Sequence, residues 1–419
     1  MAEDDPAALR RQLDVLEAAA GDAPDNPEAI RRLAEGYAAA GRQRDALATY
    51  NRLIALGELP AKSWNDIGLL LAAYEEYVQA ARVFEQSLSV AETAVARHHL
   101  GQALFNLGDL DGALKHLGIA AREHDLLSAW LALATLIPGA PSASQADILE
   151  ARREFARRLA LTDMANSAPA PAPRQRAPGA RIRVGYVSSW LASANYMKPV
   201  WALINHHDRS RFEIHLFSDA PSDATLDGYE PQANDRLHTT GDLDNTALAQ
   251  RVAEAGIDIL VDLNAYSTPD RLGLFTASPA PVSLAWFNMY ATSGLPGLQF
   301  IVGDDEVVTE EDEVHYSERV LRLPLSYLSF TVAHQAPPVV DPPCLARGHL
   351  TFGSLVAQYK ITSAVIDTWS ELLAGAPGAR LLLANRALAS VIHQDWLADR
   401  FAERGIDRER LELRGGAPV

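Results

Sequence analysis

The side chains best suited to chemistry in this sequence fall just beyond runs of apolar alternation. Ser188 and Ser189 follow Ile182, Val184, Tyr186 and Val187, and Asn264 follows a run that starts at Asp258. Asn288, Thr292, Ser293 and Gly294 come after the run 282–287, and Asp304 after the run 300–302. Such runs read as buried strands. The carboxyl ends of strands are where an open α/β sheet places its ligand crevice. Turn chemistry accounts for any one of these residues; their recurrence at successive strand ends is what points to a site. Asp304-Asp305-Glu306 has no His or Cys spaced to join it, so no metal centre is expected there. His206-His207-Asp208 ends a helical segment and reads as solvated. There is no Gly-x-Ser-x-Gly, no Gly-x-Gly-x-x-Gly and no Walker loop, and spacing alone therefore names no catalytic residue.

Helical patterns separate these strands. An amphipathic stretch over 197–206, a strand over 212–217, a helix over 245–255 ending near Gly256, and strands at 258–264, 282–287 and 300–302 predict a mainly parallel, doubly wound sheet. The stretch 181–199 opens it. After a Pro-rich crossover at 336–343 a second α/β pattern begins, with strands at 350–355, 380–384 and 411–414 and helices at 362–374 and 389–404. This is half of a second nucleotide-binding-type fold, about 70 residues where a complete one usually exceeds about 100. The second lobe is expected to be incomplete and the 419-residue form inactive.

Upstream the sequence repeats. Ile30, Leu33, Ala34, Tyr37, Ala46, Tyr50 and Leu53 recur as Trp64, Ile67, Gly68, Leu71, Ala80, Phe84 and Ser87. They recur again as Arg97, Leu100, Gly101, Leu104, Ala113, Leu117 and Ala120. A period of about 34 residues with small residues at the helix crossings is the tetratricopeptide pattern. Tyr37, Tyr50, Trp64 and Phe84 are read as packing. Arg32, Asp66 and His99 precede the Leu/Ile position of each first helix and are expected to face the concave groove, where such arrays hold protein or peptide. Helical segments at 7–20 and 126–161 are expected to cap the stack. The layout that follows is a helical array at 1–165, a Pro/Ala linker at 166–180, a first lobe at 181–345 and the start of a second at 346–419.

A formal charge of −17 argues against nucleic-acid binding, which needs clustered Lys and Arg. The single cysteine, Cys344, excludes a disulfide within the chain and a Cys-cluster metal site. The N-terminus has neither a basic nor an apolar leader region, and no apolar run approaches membrane-spanning length, so a cytoplasmic protein is expected.

Taken in order, several segments resemble one family. They are Arg-Val-Gly-Tyr-Val-Ser-Ser (183–189), Arg-Phe-Glu-Ile (211–214), Gly-Ile-Asp-Ile-Leu-Val-Asp-Leu-Asn (256–264) and Pro-Ala-Pro-Val (279–282). Thr-Ser-Gly (292–294), Tyr-Ser-Glu-Arg-Val-Leu-Arg-Leu-Pro (316–324) and Phe-Gly-Ser with Tyr-Lys-Ile (352–361) follow. Behind a tetratricopeptide array they resemble the O-linked N-acetylglucosamine transferases and their bacterial relatives, glycosyltransferases of the two-lobed GT-B fold.

The resemblance implies an array that presents a protein acceptor, a first lobe that shapes the acceptor side and a second that holds the nucleotide-sugar, without a metal or other cofactor. Lys360 matches the family's lysine at the donor diphosphate, with Gln358 and Ser354 beside it on the donor side. Ser189, Asn264, Tyr290, Thr292 and Ser293 fall on the acceptor side of the cleft. The loop after the first strand departs from the pattern: at 189–196 it is shorter and lacks the family's histidine. Asn288-Met289-Tyr290-Ala291-Thr292 replaces Gly-Tyr-Pro-Gly-Thr, and Asn264-Ala265-Tyr266 replaces Asn-Gly-His/Tyr. These departures bear on the donor, which could be UDP-N-acetylglucosamine or a CMP-sugar, and on the acceptor. Bacterial flagellin glycosyltransferases are the relatives of similar layout. The function implied is protein O-glycosylation on Ser or Thr; the alternative is a non-catalytic protein-binding scaffold with a degenerate glycosyltransferase region.

Overall fold

The computed structural model describes residues 6–57, 59–162, 165, 178–330 and 337–416. Contacts divide the chain into two compact units, residues 1–129 with 340–419, and residues 130–339. Residues 166–177 of the expected linker lie outside the described residues.

The array occupies the first unit with helices α1 (Pro6–Asp22), α2 (Pro27–Ala39), α3 (Gln43–Ala55), α4 (Ala61–Ala73), α5 (Tyr77–Val90), α6 (Ala94–Asn106) and α7 (Leu110–Arg122). Their starts follow local chemistry. Asn26 accepts from the N–H groups of Glu28 and Ala29 ahead of α2, and Thr93 and Asp109 cap α6 and α7 in the same way. The repeat spacing does what the sequence implied. A methyl group on Gly68 would stand 2.3 Å from the Phe84 ring, and one on Gly101 2.7 Å from Leu117, so small residues are what let paired helices close. Phe84, Tyr50 and Leu117 are buried between them, each contributing roughly 1.5–3 kcal/mol.

Helices α8 (Leu127–Leu136) and α9 (Gln145–Leu159) were expected to cap this stack. Residues 130–159 belong instead to the unit of the large sheet. The physical reason is a set of buried contacts from α9 to that sheet's loops, described below.

The second unit is built on seven strands, all parallel: β1 (Ile182–Ser188), β2 (Phe212–Ser218), β3 (Arg236–Thr239), β4 (Ile259–Asp262), β5 (Val282–Ala285), β6 (Phe300–Gly303) and β7 (Arg319–Arg322). Helix α10 (Ala194–Asn205) joins β1 to β2 and α11 (Asn245–Glu254) joins β3 to β4. The strand order is β3-β2-β1-β4-β5-β6-β7. Strands β3 and β7 escape the sequence reading because each has four residues, sits at a sheet edge and begins with an arginine. Val184, Tyr186, Ile214, Leu216 and Val261 form one core face against Met197, Val200, Trp201 and Ile204 of α10.

The remainder of the first unit holds α12 (Pro343–Arg347), β8 (Thr351–Ser354), α13 (Ser363–Gly375), β9 (Arg380–Ala384), α14 (Val391–Ala402) and β10 (Leu411–Arg414). Its three strands are parallel in the order β10-β9-β8. Leu381, Leu383 and Leu411 pack on Ile366, Leu373, Leu397 and Phe401. The described residues thus form a tetratricopeptide-like array followed by two parallel α/β lobes, as the sequence pattern implied.

Candidate functional site

Strand order fixes where a ligand crevice belongs in the large sheet. From β1 the chain runs outward to β2 and β3, then returns to place β4 on the other side of β1. That reversal is the topological switch point, where open parallel sheets bind ligands. Ser189 and Asn264 sit at its two lips and are joined directly: the Ser189 N–H donates to Asn264 Oδ1 at 2.8 Å. Asp262, buried at the end of β4, accepts from the N–H groups of Asn264 (2.9 Å) and Ala265 (3.1 Å) and shapes the turn. Ala265 is left at φ 48°, a conformation strained for a residue with a side chain. Burial pushes the Asp262 carboxyl up to about 6 against those two hydrogen bonds. The Asn264 carbonyl accepts from Asn288 Nδ2 at 2.8 Å, and Asn264 Nδ2 is buried without a hydrogen-bond partner.

The Ser189 hydroxyl is also committed, donating to Asp219 at 2.5 Å. Asp219 receives Arg271 in two-pronged fashion (2.9 and 2.7 Å) and the Thr240 hydroxyl at 2.8 Å. Burial opposes ionisation of Asp219, but Arg271, Ser189 and Thr240 together hold its carboxyl below the usual range. The loop after β1 is therefore tied to the ends of β2, β3 and β4. Trp190 remains at its surface, its indole N–H donating to Thr268 at 2.9 Å.

Thr292 and Ser293, read as acceptor-side residues, are fully buried. Thr292 donates its hydroxyl to Glu318 at 2.8 Å, the Ser293 N–H donates to the same carboxylate at 2.7 Å, and the Ser293 hydroxyl joins it. Their hydroxyls are closed off in a knot that holds the loop. Tyr290 is the exposed residue of this loop. Phe287, Ala291 and Gly294 all have positive φ. Gly294 cannot be replaced without collision, since a Cβ there would meet the backbone of Arg152 at 2.6 Å.

Arg152, on α9, is a buried residue at this loop that the sequence reading missed. It is 1% exposed. Its guanidinium donates to the carbonyls of Ala134 (3.0 Å), Tyr290 (3.0 Å) and Thr292, and lies 4.1 Å from the centre of the Tyr266 ring. Tyr266 in turn donates its hydroxyl to the Ser293 carbonyl at 2.7 Å. The signal was available: Ile148, Arg152, Phe155 and Leu159 share one helical stripe, which places the arginine on the buried face.

The donor-side candidates lie in the other unit, beyond the carboxyl end of β8. Ser354 is half-buried at the strand's end. Residues 358–360 form a tight helical turn in which Gln358 is buried and Lys360 is exposed. Lys360 pairs with no carboxylate among the described residues, and its ammonium lies 5.8 Å from the centre of the Tyr359 ring. Gln358 Nε2 is buried without a partner among the described residues. A cavity of about 320 Å³ adjoins this turn, lined by Glu75, Tyr77 and Asn106 of the array and by Gln358, Tyr359 and Asn385. An unpaired cation beside a strand's carboxyl end is suited to meet a phosphate.

Of the expected groove residues, Asp66 accepts Lys62 at 2.7 Å and His99 bonds the neighbouring Asn65 at 2.8 Å, whereas Arg32 is exposed. His206 is exposed as expected. His207 is not solvated: it bonds the Tyr186 hydroxyl at 2.6 Å, and burial lowers it to about 4. Asp304 accepts from the N–H groups of Glu306, Val307 and Tyr327, a loop cap. Among the described residues no group of three or more His, Cys, Asp and Glu could hold a metal ion, and no helix is long and apolar enough to cross a membrane.

Comparison with known proteins places this architecture. Residues 156–336 match the model of glycosyl transferase family 41. The probable UDP-N-acetylglucosamine–peptide N-acetylglucosaminyltransferase SPINDLY of Oryza sativa subsp. japonica is 28% identical over 55% of this chain and 25% of its own length. The Arabidopsis thaliana enzyme of the same description is 27% identical over 55% of this chain and 26% of its own. The chain thus spans about a quarter of the length of these plant relatives. A solved mutant of the Thermobaculum terrenum O-GlcNAc transferase aligns over 99% of this chain and 76% of its own, with a TM-score of 0.69 at 23% identity, a likeness of fold.

Proposed function

We propose that the protein, whose residues 156–336 match the family 41 model, is an inverting protein O-glycosyltransferase, moving a sugar from a nucleotide-sugar to Ser or Thr of a protein held by the array. The observation that carries this reading is the match to relatives described as peptide N-acetylglucosaminyltransferases over more than half of this chain. UDP-N-acetylglucosamine is the donor to try first, and flagellin is one acceptor to include. In the reaction the acceptor hydroxyl oxygen bonds to the anomeric carbon as the carbon–oxygen bond to the diphosphate breaks. The electron pair goes to the departing nucleoside diphosphate, and the hydroxyl proton is lost. In this reading Lys360 meets that diphosphate: an ammonium held there stabilises growing negative charge more than it stabilises the bound donor. The transfer in this reading uses no metal.

One observation favours the competing scaffold reading. The loop after β1 has no histidine, and Ser189 spends both its N–H and its hydroxyl on Asn264 and Asp219. Incubating the full-length protein with acceptor proteins and a panel of UDP- and CMP-sugars separates the two. Mass added at Ser or Thr with one donor supports the enzyme. No transfer with any donor, together with firm acceptor binding, supports the scaffold.

A further inference from the structure

The turn that carries Lys360 is seated on the helical array. The α6–α7 turn of the third repeat lies under it: Gly108 has φ 81°, and a Cβ there would stand 2.4 Å from the Ile361 carbonyl oxygen. One helical turn earlier, the half-buried Phe105 ring stacks on Tyr359, with centroids 4.9 Å apart and planes inclined by 26°. The preceding repeat adds polar ties. Arg386 pairs with Glu75 at 2.9 Å, and the Ser390 hydroxyl donates to Glu76 at 2.6 Å. From the other side Ile361 is buried in the lobe's own core. Residues 359–361 are therefore held between that core and a face that belongs to the array.

Lys360 has a long, flexible stem, and no carboxylate among the described residues fixes its ammonium. The Tyr359 ring lies 5.8 Å from the ammonium, and Phe105 stacks on that same ring. We propose that Phe105 is a positioning residue for the donor side: by fixing Tyr359 it sets the reach of Lys360, so the third repeat serves the transfer step as well as the acceptor. This rests on the reading of Lys360 at the donor diphosphate. It gives the array a second task, since an acceptor that shifts the third repeat would move the donor-side cation with it.

A double-mutant cycle in the full-length protein tests it, with UDP-N-acetylglucosamine as probe, kcat/KM as readout and acceptor binding and melting temperature measured alongside. Phe105→Leu keeps an apolar side chain and removes the stack; Phe105→Tyr keeps the ring. The expected result is a loss of about tenfold in kcat/KM for Phe105→Leu, less than about twofold for Phe105→Tyr, and less than about twofold when Phe105→Leu is added to Lys360→Ala. Acceptor affinity is expected to stay unchanged. Losses of Phe105→Leu and Lys360→Ala that multiply, or a Phe105→Leu protein with wild-type kcat/KM, would overturn the proposal and leave the assigned activity intact. A wild-type protein that neither binds UDP nor transfers sugar would remove the underlying reading, and the proposal with it.

Discussion

Two loops at carboxyl strand ends show opposite economies. The 287–294 loop of the large sheet is closed: Thr292, Ser293 and Glu318 are buried and satisfy one another, and Arg152 holds two of the loop's carbonyls. The 358–360 turn of the small sheet is open, with Lys360 exposed and, among the described residues, no partner for Gln358 Nε2. Hydroxyls already bonded to a buried carboxylate cannot turn to a substrate without leaving that carboxylate unpaired. A cation free of carboxylate partners can meet a phosphate at no such cost. The polar character of both loops is visible in sequence; what separates them is whether their partners are protein.

This contrast predicts different failures. In the closed loop, stability should fail first. Arg152→Ala removes a buried guanidinium and leaves three carbonyls without their donor, and should cost about 4 kcal/mol in denaturant unfolding. A loss below about 1 kcal/mol would mean that the loop does not need its clamp.

A second test concerns the array and small-sheet unit. His393 on α14 is fully buried, with neither ring nitrogen bonded among the described residues, and burial lowers it to about 4 from an ordinary value near 6.5. The unfolded chain therefore takes up this proton first. Its contribution is complete above about pH 6.5 and is lost as the pH falls toward 4, on the order of 3 kcal/mol in all. Unfolding free energies between pH 7.5 and 4 should show that slope, and His393→Leu should flatten it. An identical slope in the variant would place the acid sensitivity elsewhere.

The smallest expected effect returns to the knot. Glu318→Gln keeps the shape but sets an amide donor against Thr292 and Ser293, costing about 2 kcal/mol by thermal or denaturant unfolding. If Glu318→Gln unfolded like wild type while transfer disappeared, Glu318 would belong to the chemistry and the contrast would fail.

Much of this architecture was legible in sequence. The 34-residue repeat located Gly68 under Phe84, and apolar alternation located β1, β4 and the lips of the switch point at Ser189 and Asn264. What stayed hidden depended on partners distant along the chain. Thr292 and Ser293 read as crevice residues until Glu318, 26 and 25 positions on, closed over them. Arg152 stands in a run with Arg153, Arg157 and Arg158 that looks solvated, and only its place on the Ile148–Phe155 stripe marks it as buried. The boundary expected at residue 165 follows composition, whereas the compact units part at 129/130 and 339/340, where packing changes hands.

In the proposed function the open turn carries the donor chemistry. Its most direct test is Lys360→Ala in the full-length protein, assayed for transfer from UDP-N-acetylglucosamine beside a melting curve. The expected result is a fall of about a hundredfold in kcat/KM, with melting and acceptor binding unchanged because the side chain is exposed. Wild-type transfer by Lys360→Ala would contradict it.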